Sequence, residues 1–326
     1  MDHANLGRFG RVSRLTLGGG GIGQIWGETS KDEALRTVEA AVAAGITLLD
    51  TAPMYRNCEQ FIGEAFGGRL PPGLRITSKC ALGSPPAAEA AARIRASLDA
   101  SLAAMKLERV DLYFLHTNLC PDDYAYAHGN ERRAQMATTW SLYVNEVVPT
   151  FERLVREGKI GAWGITATGI PDTVIRALEG TPRPAAAQVV ANLLDSAGSL
   201  RRFAEAPKPR EIAAAAKRAG VGVLGIRAVQ AGALTREMDR ALSPNHPDAR
   251  DYVRAAPFRA LCEKWGEDPA VVAHRYALSM PNVDTVILGV KNRTELAQCL
   301  EAEAAGAFGT DPMREIDALG LRSERD

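Results

Sequence analysis

The sequence has no long hydrophobic run, no excess of charge of either sign and few cysteines. No stretch reaches about 18 uninterrupted apolar residues, and the charged N-terminus has no apolar signal-peptide core, so we expect neither a membrane protein nor an exported one. Lys+Arg and Asp+Glu both number 39, which argues against a nucleic-acid partner. The five cysteines show no CxxC or Cys/His spacing, so we expect no disulfide framework, no metal site and a cytoplasmic location.

What the sequence does contain is a regular alternation of short apolar runs and longer amphipathic segments. With 326 residues and 46% hydrophobic content, the chain can bury a large core. No linker rich in Pro, Gly or Ser divides it, so we expect a single domain over residues 1–326. The alternation is typical of βα units around a parallel sheet. Eight apolar runs predict strands, at Arg14–Leu17, Ile46–Thr51, Leu74–Cys80, Val110–His116, Ile160–Thr166, Ala187–Leu193, Val221–Ile226 and Thr285–Gly289.

Eight such units predict an α/β fold of the (β/α)8 TIM-barrel class. Several strands follow a glycine that ends the preceding helix, as in AAGITLLD and RAGVGVLG, which permits a short return to the next strand. Two helices are predicted within Ala256–Met280. The segment NLGRFGRVSR, before the first strand, predicts a β-hairpin at the bottom of the barrel.

A Rossmann fold is the alternative, because Gly18, Gly20 and Gly23 match the G-x-G-x-x-G spacing of a dinucleotide-binding turn. That turn requires a helix that begins at the glycines, but the next helix signal is Ser30. An acidic residue is expected about 20 residues further on, whereas Asp50 comes about 30 residues on. We therefore favour the barrel, in which the glycines let a flat ligand approach closely.

Four polar side chains follow predicted strands at their C-terminal ends, where barrels of this class hold their chemistry. They are Asp50, Tyr55, Lys79 and His116. A buried Lys79 requires a counter-ion, which Asp50 supplies, and the ammonium is expected to draw the pKa of the Tyr55 phenol toward neutral pH. Tyr55 then serves as proton donor to a carbonyl oxygen, and His116 orients the carbonyl. Each residue alone has an ordinary structural explanation, but together they predict an enzyme.

The segment DTAPMYRNCEQFIGEAF, with TSK and LH at later strands, resembles the signature of the aldo/keto reductase family, and the resemblance runs from Leu6 to about Leu300. It implies nicotinamide-dependent reduction of an aldehyde, ketone or sugar carbonyl, or the reverse reaction, with Asp50, Tyr55, Lys79 and His116 as catalytic residues. It also implies a set of cofactor-binding residues: Gly19, Gly20, Asp50, Thr166, Gln188, Ile226, Arg227, Gly289, Lys291, Arg293 and Gln298.

The sequence departs from the family pattern around the expected nicotinamide. Ala167 stands where the family has an asparagine, and Ile226 stands where it has a stacking tyrosine. Arg56 replaces the glycine after the catalytic tyrosine. These departures keep a second hypothesis open, in which the chain is a nucleotide-binding barrel with slow chemistry that acts as a redox-sensing or regulatory protein. A third class, an isomerase or lyase barrel, requires that no nicotinamide nucleotide binds.

The choice of nucleotide depends on the segment after the last predicted strand. Lys291 and Arg293 lie at the start of a predicted helix, where a phosphate is favoured, and they predict NADP(H) as the cofactor. Glu295 stands where many relatives carry a phosphate-clamping arginine. This acidic residue keeps NAD(H) as the alternative.

Three loops after strands are expected to form the substrate pocket. The first contains Trp26, the second runs from Thr117 to Val147 and the third runs from Arg227 to Ala256. Loops as long as the second usually have a function, and we expect it to cover the site with its aromatic residues Tyr124, Tyr126, His128, Trp140 and Tyr143. We predict a small carbonyl substrate and a monomer or small homo-oligomer. The predicted substrate contacts are Trp26, Tyr55, His116 and Trp140.

Overall fold

A computed structural model describes residues 1–125 and 130–322 of the chain. Its centre is a closed barrel of eight parallel strands, which pair in the order β3-β4-β5-β6-β9-β10-β11-β12, with β12 returning to β3. The strands are β1 (His3–Leu6), β2 (Gly10–Ser13), β3 (Leu15–Gly18), β4 (Leu48–Asp50), β5 (Arg75–Cys80), β6 (Val110–Leu115), β7 (Asn118–Cys120), β8 (Ala137–Thr139), β9 (Ile160–Thr166), β10 (Ala186–Val190), β11 (Gly222–Ile226) and β12 (Thr285–Leu288).

All eight predicted barrel strands are present, with bounds that differ by a few residues from the predicted ones. The (β/α)8 prediction is therefore confirmed, and the Rossmann alternative is wrong. The strands form because apolar and β-branched side chains fill both faces of a sheet that is covered by helices outside and packed within. Their register sets Asp50 beside Gly18 on one side and Thr77 on the other, at the C-terminal end of the barrel.

Helices follow the strands and cover the outside of the barrel. Ser30 caps the first long helix, because its hydroxyl accepts a hydrogen bond from the Glu33 backbone N–H at 3.1 Å. Within the described residues no helix combines the length and apolar character needed to cross a membrane. The helices are α1 (Gly19–Ile22), α2 (Lys31–Ala43), α3 (Cys58–Phe66), α4 (Ala87–Met105), α5 (Asn130–Met136), α6 (Trp140–Leu142), α7 (Val148–Arg156), α8 (Pro171–Glu179), α9 (Pro209–Arg218), α10 (Pro247–Arg254), α11 (Ala256–Trp265), α12 (Pro269–Ser279), α13 (Arg293–Ala304) and α14 (Thr310–Asp317).

The predicted N-terminal hairpin is confirmed, and it closes the bottom of the barrel. Strands β1 and β2 pair antiparallel, with Leu6 opposite Gly10. Leu6 and Val12 are buried in one apolar cluster with barrel residues that include Phe114. Gly7 turns the chain at φ +47°, where a side chain would meet the backbone at Gly222. The hairpin therefore requires a glycine at position 7 to pack against the barrel.

The sequence predicted that the segment 117–147 is a long loop without secondary structure, and this prediction is wrong. The segment contains β7, which pairs parallel with β8, followed by α6 and a single π-helical stretch over 143–147. The runs NLC and ATT are each three residues long, which is too short for a strand pattern to be recognised. Tyr126 and His128, which we expected in the pocket, lie outside the described residues. The third loop likewise contains a helix, α10.

Candidate active site

The four predicted polar residues form one cluster at the C-terminal mouth of the barrel. Lys79, the fifth residue of β5, is fully buried, and its Nζ donates hydrogen bonds to Asp50 Oδ2 at 2.6 Å and to the Thr51 carbonyl at 2.9 Å. A third bond, at 3.3 Å, runs from Lys79 Nζ to the Tyr55 hydroxyl oxygen. The His116 ring meets the Tyr55 ring edge to face, with centroids 5.8 Å apart. One buried ammonium therefore connects the carboxylate to the phenol.

Asp50 is held by more partners than Lys79 alone. Its Oδ1 accepts hydrogen bonds from the Thr77 hydroxyl and from Gln188 Nε2, both at 2.6 Å. Asp50 is only 2% exposed, so these bonds replace the water that an isolated carboxylate would require. The amide nitrogen of Gln188, which we predicted to contact a cofactor, is bonded inside the cluster. Both carboxylate oxygens are thus fixed in orientation.

Burial dominates the protonation of this cluster. Burial raises the pKa of the Tyr55 phenol above its ordinary value, and the ammonium of Lys79 only partly opposes the rise. The ammonium thus acts in the expected direction on the pKa of Tyr55, but burial outweighs it. Burial favours a neutral Lys79, but Asp50 and Tyr55 outweigh it and raise the pKa of Lys79. Burial, aided by the charge of Lys79, holds the pKa of His116 well below its usual range, so the imidazole is neutral at pH 7.

A cavity of about 580 Å³ opens above the cluster and extends to the start of α13. Tyr55, His116 and Lys291 all lie in its wall. It brings together most of the predicted binding residues. The predicted cofactor and substrate residues in its wall are Gly19, Gly20, Trp26, Asp50, Thr166, Gln188, Ile226, Arg227, Gly289, Lys291 and Gln298.

Two predicted contact residues lie elsewhere among the described residues. The Arg293 guanidinium is outside the cavity wall and binds the Glu33 carboxylate, 260 residues away in sequence, at 2.9 and 3.1 Å. Trp140 packs against Tyr143 and under the guanidinium of Arg176, whose Cζ is 4.0 Å from the ring centroid. The cavity therefore does not include the predicted substrate contact of Trp140.

The glycines that follow β3 and β12 bring segments close together. A Cβ on Gly20 would lie 2.7 Å from Trp26 Nε1, and one on Gly289 would lie 3.6 Å from the same atom. The flat group that these glycines admit in this structure is the Trp26 indole. The Arg240 guanidinium lies over its ring, with Cζ 5.3 Å from the ring centroid. Trp26 is thus a wall of the cavity.

Arg227 contributes to the wall, but its charge is used internally. The residue adopts φ +62°, and its side chain is 6% exposed. Its guanidinium donates to Asp248 Oδ1 at 2.5 Å and to Gln230 Oε1 at 2.8 Å. Burial lowers the pKa of Arg227, and Asp248 and Asp251 oppose this. The ion pair ties the segment after β11 to α10.

Sequence reasoning missed several residues of the site. Thr77 lies two positions before Lys79 on β5, so both side chains point to the same face, and this period of two was a signal that could have identified it. The remaining wall residues come from loops, from the short elements β7 and α5 and from helix α12, and no motif marks them in the sequence. Those that we did not predict include Met54, Asn118, Met136, Thr168, Leu200, Arg202, Asp239, Arg240 and His274.

The fold is a (β/α)8 barrel with a buried Tyr-Lys-Asp cluster at its mouth, and sequence comparison gives the family. The aldo/keto reductase family model matches residues 14–320. The chain belongs to the aldo/keto reductase family, as the resemblance predicted. It is 24% identical to L-galactose dehydrogenase of Arabidopsis thaliana, over 98% of this chain and 90% of the relative. It is 28% identical to an uncharacterized oxidoreductase, YrpG, of Bacillus subtilis, over 93% and 91%.

Solved structures show the same fold. An aldo-keto reductase from Bacillus halodurans in its holo form superposes with a TM-score of 0.70 at 21% identity, covering 98% of this chain and 96% of that one. The glycerol dehydrogenase of Gluconobacter oxydans gives the same TM-score and identity, covering 98% and 94%. At this identity the likeness concerns the barrel alone.

Proposed function

We propose that the chain is an NAD(P)-dependent enzyme that interconverts an aldehyde, ketone or sugar carbonyl and the corresponding alcohol. The observation that carries the proposal is the double contact of Lys79 Nζ, with Asp50 at 2.6 Å and with the Tyr55 hydroxyl at 3.3 Å, because both of these partners line the cavity. The sequence predicts NADP(H) as the cofactor, with NAD(H) as the alternative.

The cluster supports Tyr55 as the general acid. Its raised pKa keeps the phenol protonated at neutral pH, so it holds a proton to give to a carbonyl oxygen. When that proton leaves, the Lys79 ammonium already donates to the phenol oxygen and stabilises the phenolate. Asp50 keeps Lys79 charged. The neutral His116 beside Tyr55 can donate a hydrogen bond that orients the carbonyl.

The cavity fits a nicotinamide nucleotide. Within residues 1–125 and 130–322, the buried hydroxyl oxygen of Thr166 has no hydrogen-bond partner, and Thr166 lines the cavity. A bound ligand with an amide group would satisfy this hydroxyl. A bound nicotinamide nucleotide supplies the hydride for carbonyl reduction. Gly19, Gly20 and Ile226 would contact it near Tyr55, and Gln298 would contact it at the far end.

The names of two relatives support polyhydroxylated substrates. One curated relative is an L-galactose dehydrogenase, and one structural neighbour is a glycerol dehydrogenase. The wall near His116 mixes polar and apolar groups, with Asn118 and Thr168 beside Met136 and Leu200. Such a wall suits a substrate that carries both hydroxyl and methylene groups. Sugars and small polyols therefore belong in the first substrate panel, with simple aldehydes and ketones.

The proposal is tested by following NADH and NADPH absorbance with carbonyl substrates, and NAD⁺ and NADP⁺ reduction with sugars and polyols. We expect Tyr55→Phe to lower turnover by at least ~100-fold, because it removes the acid, and to change nucleotide affinity by less than about threefold. Tyr252→Phe is the matched control, since the Tyr252 hydroxyl donates to the Arg236 carbonyl and the residue does not line the cavity among the described residues.

Two outcomes would contradict the proposal. Tight nucleotide binding without turnover of any panel member would favour the slow-chemistry, redox-sensing alternative, for which the aliphatic Ile226 in the cavity wall is the motivating observation. Absence of binding by all four nucleotides would favour an isomerase or lyase barrel instead.

A further inference from the structure

The far end of the cavity, where β12 leads into α13, carries no excess of positive side chains over negative ones. We infer that this end selects NAD(H) over NADP(H), because carboxylates already occupy the groups that a 2′-phosphate would need. The inference rests on the proposed function, which sets the nicotinamide beside Tyr55 and hence the adenosine end of an extended dinucleotide near Lys291. NADP differs from NAD only by a phosphate on the adenosine ribose, so the charge at this end decides between them.

Lys291, the first of the two cations, faces two carboxylates. Its Nζ forms an ion pair with Asp239, from the segment after β11, and a second one with Glu295 Oε1 at 3.3 Å. Glu295 Oε2 also accepts the Lys291 backbone N–H at 2.8 Å. The Lys291 side chain is 16% exposed, so its charge is used within the protein rather than presented to solvent. A phosphate would have to share this ammonium with two anions.

Arg293, the second cation, is held by Glu33 of α2. The Arg293 guanidinium donates from Nε and Nη2 to the two Glu33 oxygens at 3.1 and 2.9 Å. The Arg293 backbone N–H donates to Glu33 Oε1 at 2.9 Å as well. The same carboxylate therefore takes both the guanidinium and the first amide of α13. The guanidinium holds the pKa of Glu33 at about 2, so this carboxylate is ionised throughout the neutral range.

Two of the amides at the start of α13 are occupied in the same way. A helix N-terminus attracts a phosphate through its unpaired N–H groups. Here Asn292 Oδ1 accepts the Glu295 N–H at 2.9 Å, and Glu33 accepts that of Arg293. A carboxylate and a capping amide thus stand where the sequence predicted a phosphate.

The charges at this end do not sum to a positive value. Lys291, Arg293 and Arg240, which pairs with Asp239 at 3.9 Å, contribute three positive charges, and Glu33, Asp239 and Glu295 contribute three negative ones. A phosphate monoester adds about 1.5 to 2 negative charges at pH 7. The ribose hydroxyl of NAD adds none and can donate a hydrogen bond to a carboxylate.

The Arg293–Glu33 pair is partly exposed, so displacing Glu33 from Arg293 would cost little. The displaced carboxylate would nevertheless remain attached to α2. It would stay close to the phosphate, and at physiological ionic strength salt screens repulsion strongly only beyond about 8 Å. Displacement therefore does not remove the unfavourable charge.

The test is to measure the dissociation constants of NADH and NADPH by tryptophan fluorescence and by calorimetry. We expect the unmodified chain to bind NADH at least ~10-fold more tightly than NADPH at low salt, and the ratio to shrink as salt rises. Glu33→Gln and Glu295→Gln should each tighten NADPH binding by about 3- to 10-fold while NADH binding changes by less than about twofold. Glu39→Gln is the matched control, because Glu39 is an exposed carboxylate on the same helix, α2.

The two proposals fail in different ways. If the unmodified chain binds NADPH more tightly than NADH, the inferred selectivity is wrong, but the proposed function stands. The selectivity is also wrong if Glu33→Gln or Glu295→Gln changes the affinities for NADH and NADPH equally. This comparison uses variants whose circular dichroism spectra match that of the unmodified chain. Binding of neither nucleotide would overturn the proposed function, and the selectivity with it.

Discussion

Gln188 on β10 donates a 2.6 Å hydrogen bond to Asp50 on β4, 138 residues earlier in the chain. These two strands lie on opposite sides of the barrel, with three strands between them in either direction. The bond therefore spans the barrel interior and fixes the carboxylate that holds Lys79. The position of the whole Tyr55 cluster depends on a residue that itself needs no contact with substrate.

Gln188→Met tests this link. The variant keeps the volume but removes the donor, so Asp50 Oδ1 retains only the Thr77 hydroxyl. Hydrogen bonds to charged groups contribute about 1.5–3 kcal/mol, and we expect the free energy of unfolding in urea to fall by that amount. Gln60→Met, at an exposed position on α3, should change it by less than about 0.5 kcal/mol. Equal stability of the two variants would show that the bond across the barrel contributes nothing.

Lys79→Met should be among the most destabilising single changes in the barrel. It leaves the Asp50 carboxylate, only 2% exposed, without a counter-ion, and such losses cost about 3–5 kcal/mol. Adding Asp50→Asn should restore at least ~1 kcal/mol, because the second change removes the unpaired charge. The control is Lys264→Met, which breaks the exposed 3.1 Å pair with Glu315 and should cost less than about 1 kcal/mol. A double variant less stable than Lys79→Met would contradict this account.

Thr166→Val separates stability from nucleotide binding. The Thr166 hydroxyl is buried without a partner in the described part of the chain, so replacing it with a methyl group should leave the melting temperature unchanged or raise it. If the hydroxyl binds the nicotinamide carboxamide, nucleotide affinity should fall about 5- to 10-fold, which corresponds to one lost hydrogen bond. Thr166→Ser keeps the hydroxyl and should retain affinity. A loss of affinity in both variants would argue for a packing effect.

Stability should fall as the pH is lowered below about 6.5. Burial lowers the pKa of both His116 and His274 in the folded chain, so the unfolded chain binds more protons in this range. Their contribution is complete above the unfolded pKa and is lost as the pH falls toward the folded values. Urea unfolding between about pH 7.5 and 5.5 measures the slope. His116→Gln and His274→Gln should each flatten it, and His3→Gln, at an exposed position, should leave it unchanged.

The repeated strand pattern made the barrel predictable, because burial on both faces of the sheet leaves a strong apolar signal. The hairpin and the Asp50–Lys79 pairing were also predictable, since strand order brings strand ends together. The partners of Lys291 and Arg293 were not, because Asp239 and Glu33 are distant in sequence and lie in segments without a motif. The pKa of Tyr55 depended on the degree of burial, which no pattern reports. The single domain, the oligomeric state and the cytoplasmic location stay predictions.

The N-terminal hairpin gives the barrel one sealed end and one open end. Because Leu6 and Val12 pack into the same cluster as the interior residues of the lower barrel, the hairpin closes the bottom, and the cavity that Asp50 lines opens at the other end. A ligand seated in the mouth would therefore displace water next to Asp50 and change the hydration of its pair with Lys79.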